Sequence, residues 1–170
     1  GDPRSAIVEA ADELLALPGG GDVLVFLPGE REIREAAEAL RKHHPPGVEV
    51  LPLFARLSPA EQDRIFDGHT GRRVVLATNV AESSVTLPGV RAVVDSGLAR
   101  EPRFDPASGM SRLETVLIAQ SSATQRAGRA GRVAPGRCYR LWPESQRLDA
   151  ATRPEMQQVE LAGFALELAA

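Results

Sequence analysis

The chain has 170 residues, of which 43% are hydrophobic, and it carries 20 Lys and Arg against 23 Asp and Glu, for a formal net charge of −3. This length and composition are typical of one globular domain and exclude a fibrous or disordered chain. No apolar run approaches the roughly 20 residues of a membrane-spanning helix and no leader pattern opens the chain, so we expect a soluble, cytoplasmic protein without a membrane partner. The only cysteine, Cys138, and the histidines lack metal-ligand spacing, so we expect no metal site in these residues.

The predicted elements alternate between helices and strands. Apolar residues at helical spacing predict helices over residues 7–15 and 30–43, and the capping box Ser58-Pro59-Ala60-Glu61 predicts a helix that runs through Phe66. Continuous apolar runs predict buried strands at residues 23–27, 48–53, 74–77, 90–94 and 137–142. This alternation predicts an α/β fold in which a parallel sheet carries helices on both faces.

Two segments depart from this alternation. Asp105-Pro106-Ala107-Ser108-Gly109 is a turn sequence between short extended stretches, which predicts a protruding β-hairpin over residues 103–119. After Pro154 a helical pattern runs to the end of the chain. We therefore divide the chain into an α/β domain, residues 1–150, and the start of a further, truncated helical region, residues 151–170.

The charge distribution singles out one part of the sequence. Although the net charge argues against nucleic acid as a partner, no acidic residue lies between Glu114 and Glu144. That interval holds Arg126, Arg129, Arg132, Arg137 and Arg140. A local excess of arginine favours a phosphate-bearing ligand, and the alternative is a solvated basic surface.

The stretch Gln125-Arg126-Ala127-Gly128-Arg129-Ala130-Gly131-Arg132 is the best candidate for phosphate binding. We expect Gln125, Arg129 and Arg132 to share one face of a helix, where two guanidiniums and an amide would suit phosphoryl oxygens. Ser121 or Ser122 is expected to cap that helix. Each glycine costs a helix about 1 kcal/mol, so we expect the glycines to admit a closely approaching backbone or phosphate.

This stretch resembles motif VI of the superfamily 2 helicases, in its DEAH-box form. Phe26-Leu27-Pro28-Gly29 resembles motif IV, and residues 77–86, which read Ala-Thr-Asn-Val-Ala-Glu-Ser-Ser-Val-Thr, resemble motif V. The motifs occur in the family's order, and the resemblance covers nearly the whole chain. Within the branch, Asp95-Ser96-Gly97-Leu98-Ala99-Arg100 is most similar to the bacterial HrpB type.

The resemblance implies that the chain is the second RecA-like domain of an ATP-dependent helicase, with a RecA-like parallel sheet and an inserted β-hairpin. The G-x-x-x-x-G-K-[ST] loop and the Asp-Glu-Ala-His sequence are not among these residues. In this family they lie on a first RecA-like domain of the same protein, which is therefore the expected partner. ATP with Mg²⁺ is the expected cofactor, with magnesium held by that first domain. We expect the isolated chain to be an inactive monomer.

The resemblance also assigns roles to single residues. As catalytic residues it implies the arginine fingers Arg129 and Arg132, with Gln125 placing the phosphate or the attacking water. As nucleotide-binding residues it implies Phe66, Ser84, Thr86 and Arg126. As contacts to single-stranded RNA or DNA it implies Gly29, Arg56, Thr78 and Asn79. The hairpin corresponds to the family's β-hairpin, a wedge or bookend near the duplex junction.

Plainer interpretations stay open for several of these residues. Phe66 also suits a core position on its helix, Arg56 suits an ordinary surface position, and the hairpin suits a connector. Thr78 and Asn79 are common caps of a turn after a strand. For the whole chain, the alternative is a binding module whose arginine helix grips RNA or an acidic partner without serving ATP hydrolysis. A self-sufficient nucleotide-binding domain is disfavoured because these residues contain no phosphate loop.

Overall fold

A computed structural model of the chain describes residues 3–17, 20–43, 47–54, 58–66, 71–83, 87, 89–130, 136–143, 145–150 and 165–169. Its helices are α1 (Pro3–Ala16), α2 (Glu30–His43), α3 (Pro59–Phe66) and α4 (Gln120–Gly128), and a 3₁₀ turn covers Asn79–Glu82. Its strands are β1 (Asp22–Phe26), β2 (Val48–Pro52), β3 (Arg72–Ala77), β4 (Val90–Asp95), β5 (Leu98–Asp105), β6 (Met110–Leu117), β7 (Gly136–Arg140) and β8 (Ala165–Ala169).

The main sheet has six strands in the order β2-β3-β1-β4-β7-β8. All neighbours pair in parallel except β8, which runs antiparallel to β7. Val25 of central strand β1 lies opposite Leu76 on one side and Val94 on the other. The carboxyl ends of β1, β3 and β4 therefore meet at one edge of the sheet, where ligands of such folds bind.

Both faces of β1 are buried, as its uninterrupted apolar sequence predicts. Val23 and Val25 face the core beneath α1 and α2, which contact each other. Leu24 and Phe26 face the opposite core, which includes Ala81 of the 3₁₀ turn and Ala130 just after α4. The sheet thus carries helical structure on both faces, and the predicted α/β fold is confirmed.

Local sequence signals explain where two elements begin and end. The capping box at α3 forms as predicted, since the Glu61 amide donates to Ser58 Oγ and the Ser58 amide donates to Glu61 Oε1, each at 3.2 Å. The predicted hairpin forms from β5 and β6, in register from Leu98 opposite Leu117 to Asp105 opposite Met110. It begins earlier than residue 103 because pairing extends back to the edge of the main sheet.

Two predictions of local structure were wrong. The helix α4 begins after Ala119, which provides no side-chain cap, so neither Ser121 nor Ser122 occupies the N-cap position. Residues 165–169 form strand β8 and not a helix, with Ala169 opposite Gly136 of β7. Pairing with an open sheet edge outweighs the helical preference of such an Ala- and Leu-rich sequence. Residues 151–164 lie outside the described part of the chain.

Candidate functional site

The candidate site lies at the carboxyl edge of the main sheet. Strand β3 leads through Thr78 into the 3₁₀ turn, and β4 ends at Asp95 before the hairpin starts. Helix α4 packs against β4 and against the 3₁₀ turn. The described parts of the segments that resemble motifs IV, V and VI, residues 26–29, 77–83 and 125–130, are thereby brought to one corner of the domain.

Arg126 holds this corner together from inside. Its side chain is 0% exposed, and it is the largest fully buried side chain among the described residues. Its Nε donates to Glu82 Oε1 at 2.8 Å, its Nη1 to Asp95 Oδ1 at 2.8 Å, and its Nη2 to the Leu98 carbonyl at 3.2 Å. Its guanidinium carbon also lies 4.8 Å from the centre of the Phe26 ring. One side chain therefore joins α4 to β1, to the 3₁₀ turn, to β4 and to the hairpin.

The charge of Arg126 is secured by its partners. Burial acts to lower the pKa of Arg126, but Asp95 and Glu82 outweigh it, and the pKa is raised above the ordinary arginine value. The guanidinium stays charged at every physiological pH. Because it is enclosed and engaged at all its nitrogens, its position does not support the predicted nucleotide contact, and its observed contacts are those of a structural bridge.

Arg129 is the predicted finger whose surroundings the structure describes. It is only 4% exposed, and its Nε donates to the carbonyls of Ala81 and Glu82, both at 2.9 Å. These carbonyls belong to the 3₁₀ turn that follows Thr78. The side chain from the motif VI segment thus lies directly on the backbone of the motif V segment.

Gln125 and Arg129, which we expected to share one face of α4, differ in burial. Gln125 is exposed, whereas Arg129 is buried. Helix α4 ends at Gly128, and the amides of Arg129 and Ala130 donate to carbonyls three residues back, which tightens the last turn. A Cβ on Gly128 would meet no atom within 4 Å, so the described residues themselves do not make the expected close approach.

Thr78 and Asn79 keep their side chains available at this edge. Thr78 stands at the N-cap position of the 3₁₀ turn, yet its side chain makes no capping hydrogen bond. The turn is closed by the backbone instead, since the Ala81 amide donates to the Thr78 carbonyl at 3.1 Å. Asn79 is exposed. Capping, the plainer interpretation, does not account for the Thr78 hydroxyl.

Comparison with known families and structures decides the assignment. A family model described as the helicase conserved C-terminal domain matches residues 6–134. The chain belongs to the helicase C-terminal domain family. This membership agrees with the corner just described, which joins the described parts of the segments that resemble motifs IV, V and VI.

Relatives of this helicase C-terminal domain are similar over almost its whole length. It is 47% identical to the ATP-dependent RNA helicase HrpA of Escherichia coli over 99% of the chain, and 43% identical to a probable ATP-dependent RNA helicase, DHX34, of Homo sapiens over 98%. A crystal structure of the Escherichia coli DEAH/RHA helicase HrpB covers 95% of the chain with a TM-score of 0.80 and 39% identity. The domain spans 13% and 15% of the two relatives and 21% of the solved chain. In the described part of the domain, no helix is long and apolar enough to cross a membrane.

Several predicted site residues of the helicase C-terminal domain lie outside the described residues. These are Arg56, Ser84, Thr86 and Arg132, together with the side chain of Phe66. Gly29 is described, and a Cβ placed on it would lie 2.3 Å from Arg100 Nη1. The absence of a side chain at Gly29 is therefore explained first by the neighbouring arginine.

Sequence reasoning missed residues that the structure places in the helicase C-terminal domain's corner. Glu82 and Asp95 lie in segments that resemble family motifs, but we predicted no role for them. In the structure both form ion pairs with Arg126. One signal could have found Asp95, because an acid that ends a buried strand needs a partner. That signal does not identify Arg126 as the partner, because Arg126 lies more than 30 residues further along the chain.

The donors at this corner fit a phosphate better than a metal ion. Gln125 is an exposed hydrogen-bond donor, Arg129 is a buried guanidinium whose Nε donates to the Ala81 and Glu82 carbonyls, and the nearby carboxylates of Glu82 and Asp95 are engaged by Arg126. Among the residues described, no group of His, Cys, Asp and Glu could hold a metal ion. Magnesium prefers oxygen ligands, so the helicase C-terminal domain's own donor set suits the phosphate part of a nucleotide.

Proposed function

We propose that this domain is the second half of an ATP-dependent helicase acting on single-stranded RNA or DNA. A first RecA-like domain of the same protein would hold the nucleotide's magnesium, and this domain would complete the site. Support comes from the family membership, from the RNA-helicase activity for which the relatives are named and from the donor set at the corner. The isolated domain is then inactive, because half of each ligand site lies on its partner.

The observation that carries this proposal is that Arg129 donates hydrogen bonds to the backbone of the 3₁₀ turn. In the proposed mechanism Arg129 and Arg132 bring positive charge to the transferred γ-phosphate, and Gln125 orients the phosphate or the attacking water. ATP with Mg²⁺ supplies the phosphoryl group for hydrolysis. Ser84, Thr86 and Phe66 are proposed to contact the nucleotide, and Arg126 to keep the corner in place.

Single-stranded nucleic acid is proposed to contact Thr78 and Asn79, with Gly29 and Arg56 beside them. Thr78 precedes and Asn79 begins the turn whose carbonyls accept hydrogen bonds from Arg129, so a change at the nucleotide can reach the nucleic-acid strand through one contact. Contacts of this kind are made to the nucleic-acid backbone, so they position the strand without reading its sequence and weaken with added salt.

The test is nucleic-acid-stimulated ATP hydrolysis by the full-length protein that carries this domain, with strand binding measured in parallel. We expect Arg129→Ala to reduce turnover by at least about 10²-fold while affinity for single-stranded RNA changes little. Arg112→Ala is the matched control, because Arg112 is an exposed arginine on the hairpin. If ATP turnover is unchanged and the affinity for single-stranded RNA is lost, the arginines bind nucleic acid, and the binding-module interpretation replaces this one.

A further inference from the structure

The hairpin β5–β6 is a separate two-stranded sheet that projects from the main one. Its outer half exposes large apolar side chains: Phe104 is 60% exposed, Leu113 66% and Met110 69%. Pro102 lies opposite Leu113 in the register, so Pro102, Leu113 and Phe104 share one face. Only the inner end is buried in the domain, through Leu98, Ala99, Val116 and Leu117. A ribbon held at one end needs a further contact to fix its direction.

That contact is made by Arg100 near the root of the hairpin. Arg100 Nη1 and Nη2 donate to Glu32 Oε1 and Oε2, both at 3.0 Å, which is a two-pronged ion pair with the first turn of α2. Its Nε and Nη2 also donate to Thr115 Oγ1 at 3.3 and 3.1 Å. Because Thr115 lies opposite Arg100 in the register, one guanidinium joins both hairpin strands to α2.

Gly29 completes this arrangement from the other side. It ends the connection from β1 to α2, and its carbonyl accepts from the Ile33 amide at 3.1 Å. A Cβ here would lie 2.3 Å from Arg100 Nη1 and 3.2 Å from Glu32 Oε1. A larger residue would therefore displace the guanidinium from Glu32. The glycine leaves room for the ion pair at the edge that carries the strand-binding candidates.

We propose that Arg100, through its ion pair with Glu32 and its bonds to Thr115, is a positioning residue that sets the direction of the hairpin relative to the sheet edge. Its task is to couple duplex opening to ATP hydrolysis, and it takes no part in hydrolysis itself. The coupling role rests on the proposed helicase function, whereas the positioning of the hairpin concerns only the geometry of this domain.

The direction of the hairpin is measured with spin labels at Ser108→Cys, in the hairpin turn, and Glu38→Cys, on the exposed side of α2, in the full-length protein. We expect a narrow distribution of label distances that broadens in Arg100→Ala. Arg112→Ala is the matched control, because Arg112 forms its ion pair with Glu114 inside the hairpin. An unchanged distribution in Arg100→Ala, or equal broadening in both variants, overturns the positioning role.

The coupling is measured as base pairs opened per ATP hydrolysed. We expect Arg100→Ala and Glu32→Gln each to lower this ratio about fivefold, with single-strand-stimulated ATP hydrolysis held within about twofold of wild type. The double variant is expected to be no worse than either single one, because both remove the same contact. Arg100→Lys, which keeps the charge but loses the two-pronged geometry, is expected to fall in between.

The outcomes separate this inference from the proposed function. Unwinding and hydrolysis that fall in parallel, with an unchanged melting temperature, overturn the coupling role. A wild-type protein without nucleic-acid-stimulated hydrolysis overturns the proposed function and the coupling role with it. In that case the label distances alone decide whether Arg100 positions the hairpin.

Discussion

Two arginines, Arg126 and Arg100, form the same kind of ion pair with carboxylates, one in a buried and one in a partly exposed environment. Each binds carboxylate oxygen at 2.8 to 3.0 Å and each joins distant segments of the chain. Arg126 has no exposed surface, whereas Arg100 and its partner Glu32 are partly exposed. A buried pair that loses one member leaves an uncompensated charge, whereas water can replace a partner at a partly exposed pair. We therefore expect the loss of the buried pair to destabilise the fold, and the loss of the partly exposed pair to act mainly on the orientation of the hairpin.

The largest expected effect is the loss of one carboxylate from the buried corner. Asp95 is completely buried and accepts from Arg126 Nη1 and from the Gly97 amide at 2.9 Å. We expect Asp95→Asn to lower the free energy of unfolding by about 3–5 kcal/mol, measured by chemical denaturation. Glu114→Gln is the matched control, because Glu114 forms ion pairs with Arg103 and Arg112 on the hairpin. This substitution is expected to lower the free energy of unfolding by less than about 1 kcal/mol. Equal losses would contradict the distinction between the two regions.

A pair of glycines sharpens the same comparison with a smaller effect. Gly97, at the buried corner, has φ +77° and Gly109, at the hairpin turn, has φ +71°. A Cβ on Gly97 would lie 2.5 Å from Trp142 Cε3, while one on Gly109 would meet nothing within 4 Å. Gly109→Ala is expected to cost about 1 kcal/mol for the backbone alone, and Gly97→Ala about 2–3 kcal/mol, because the Trp142 ring must also move. Thermal unfolding of both variants checks this order, and the reverse order would refute it.

The smallest expected effect is the pH dependence of the stability that the Glu32–Arg100 ion pair contributes at the root of the hairpin. Burial acts to raise the pKa of Glu32, but hydrogen bonds from Arg100 and Arg31 outweigh it and hold the pKa below the ordinary glutamate value. A carboxyl with a lowered pKa stabilises the fold above its unfolded value, and that stabilisation is lost as the pH falls through the folded value. The difference in free energy of unfolding between wild type and Glu32→Gln should therefore be constant near neutral pH and shrink below about pH 4. Denaturation curves from pH 7 to 3 test it, and a difference that grows in acid would show the sign to be wrong.

Local patterns predicted the elements whose signal is contained within a few residues. The apolar run at β1, the capping box at α3 and the turn at Asp105–Gly109 each formed where expected. The prediction failed at β8, because pairing with β7 depends on a strand far away in sequence. It failed again at the start of α4, where Ala119 precedes the helix without any capping side chain.

The sequence by itself determined the alternation of strands and helices, the projecting hairpin and the resemblance that led to the helicase C-terminal domain. It also located the arginine stretch, because residue type and spacing are local properties. Only the tertiary structure decided that Arg126 is a buried bridge, that Arg129 lies on the 3₁₀ turn and that Arg100 meets Glu32. The physical reason is that the partner of a charge, and its burial, are set by segments tens of residues apart that meet only when the sheet forms.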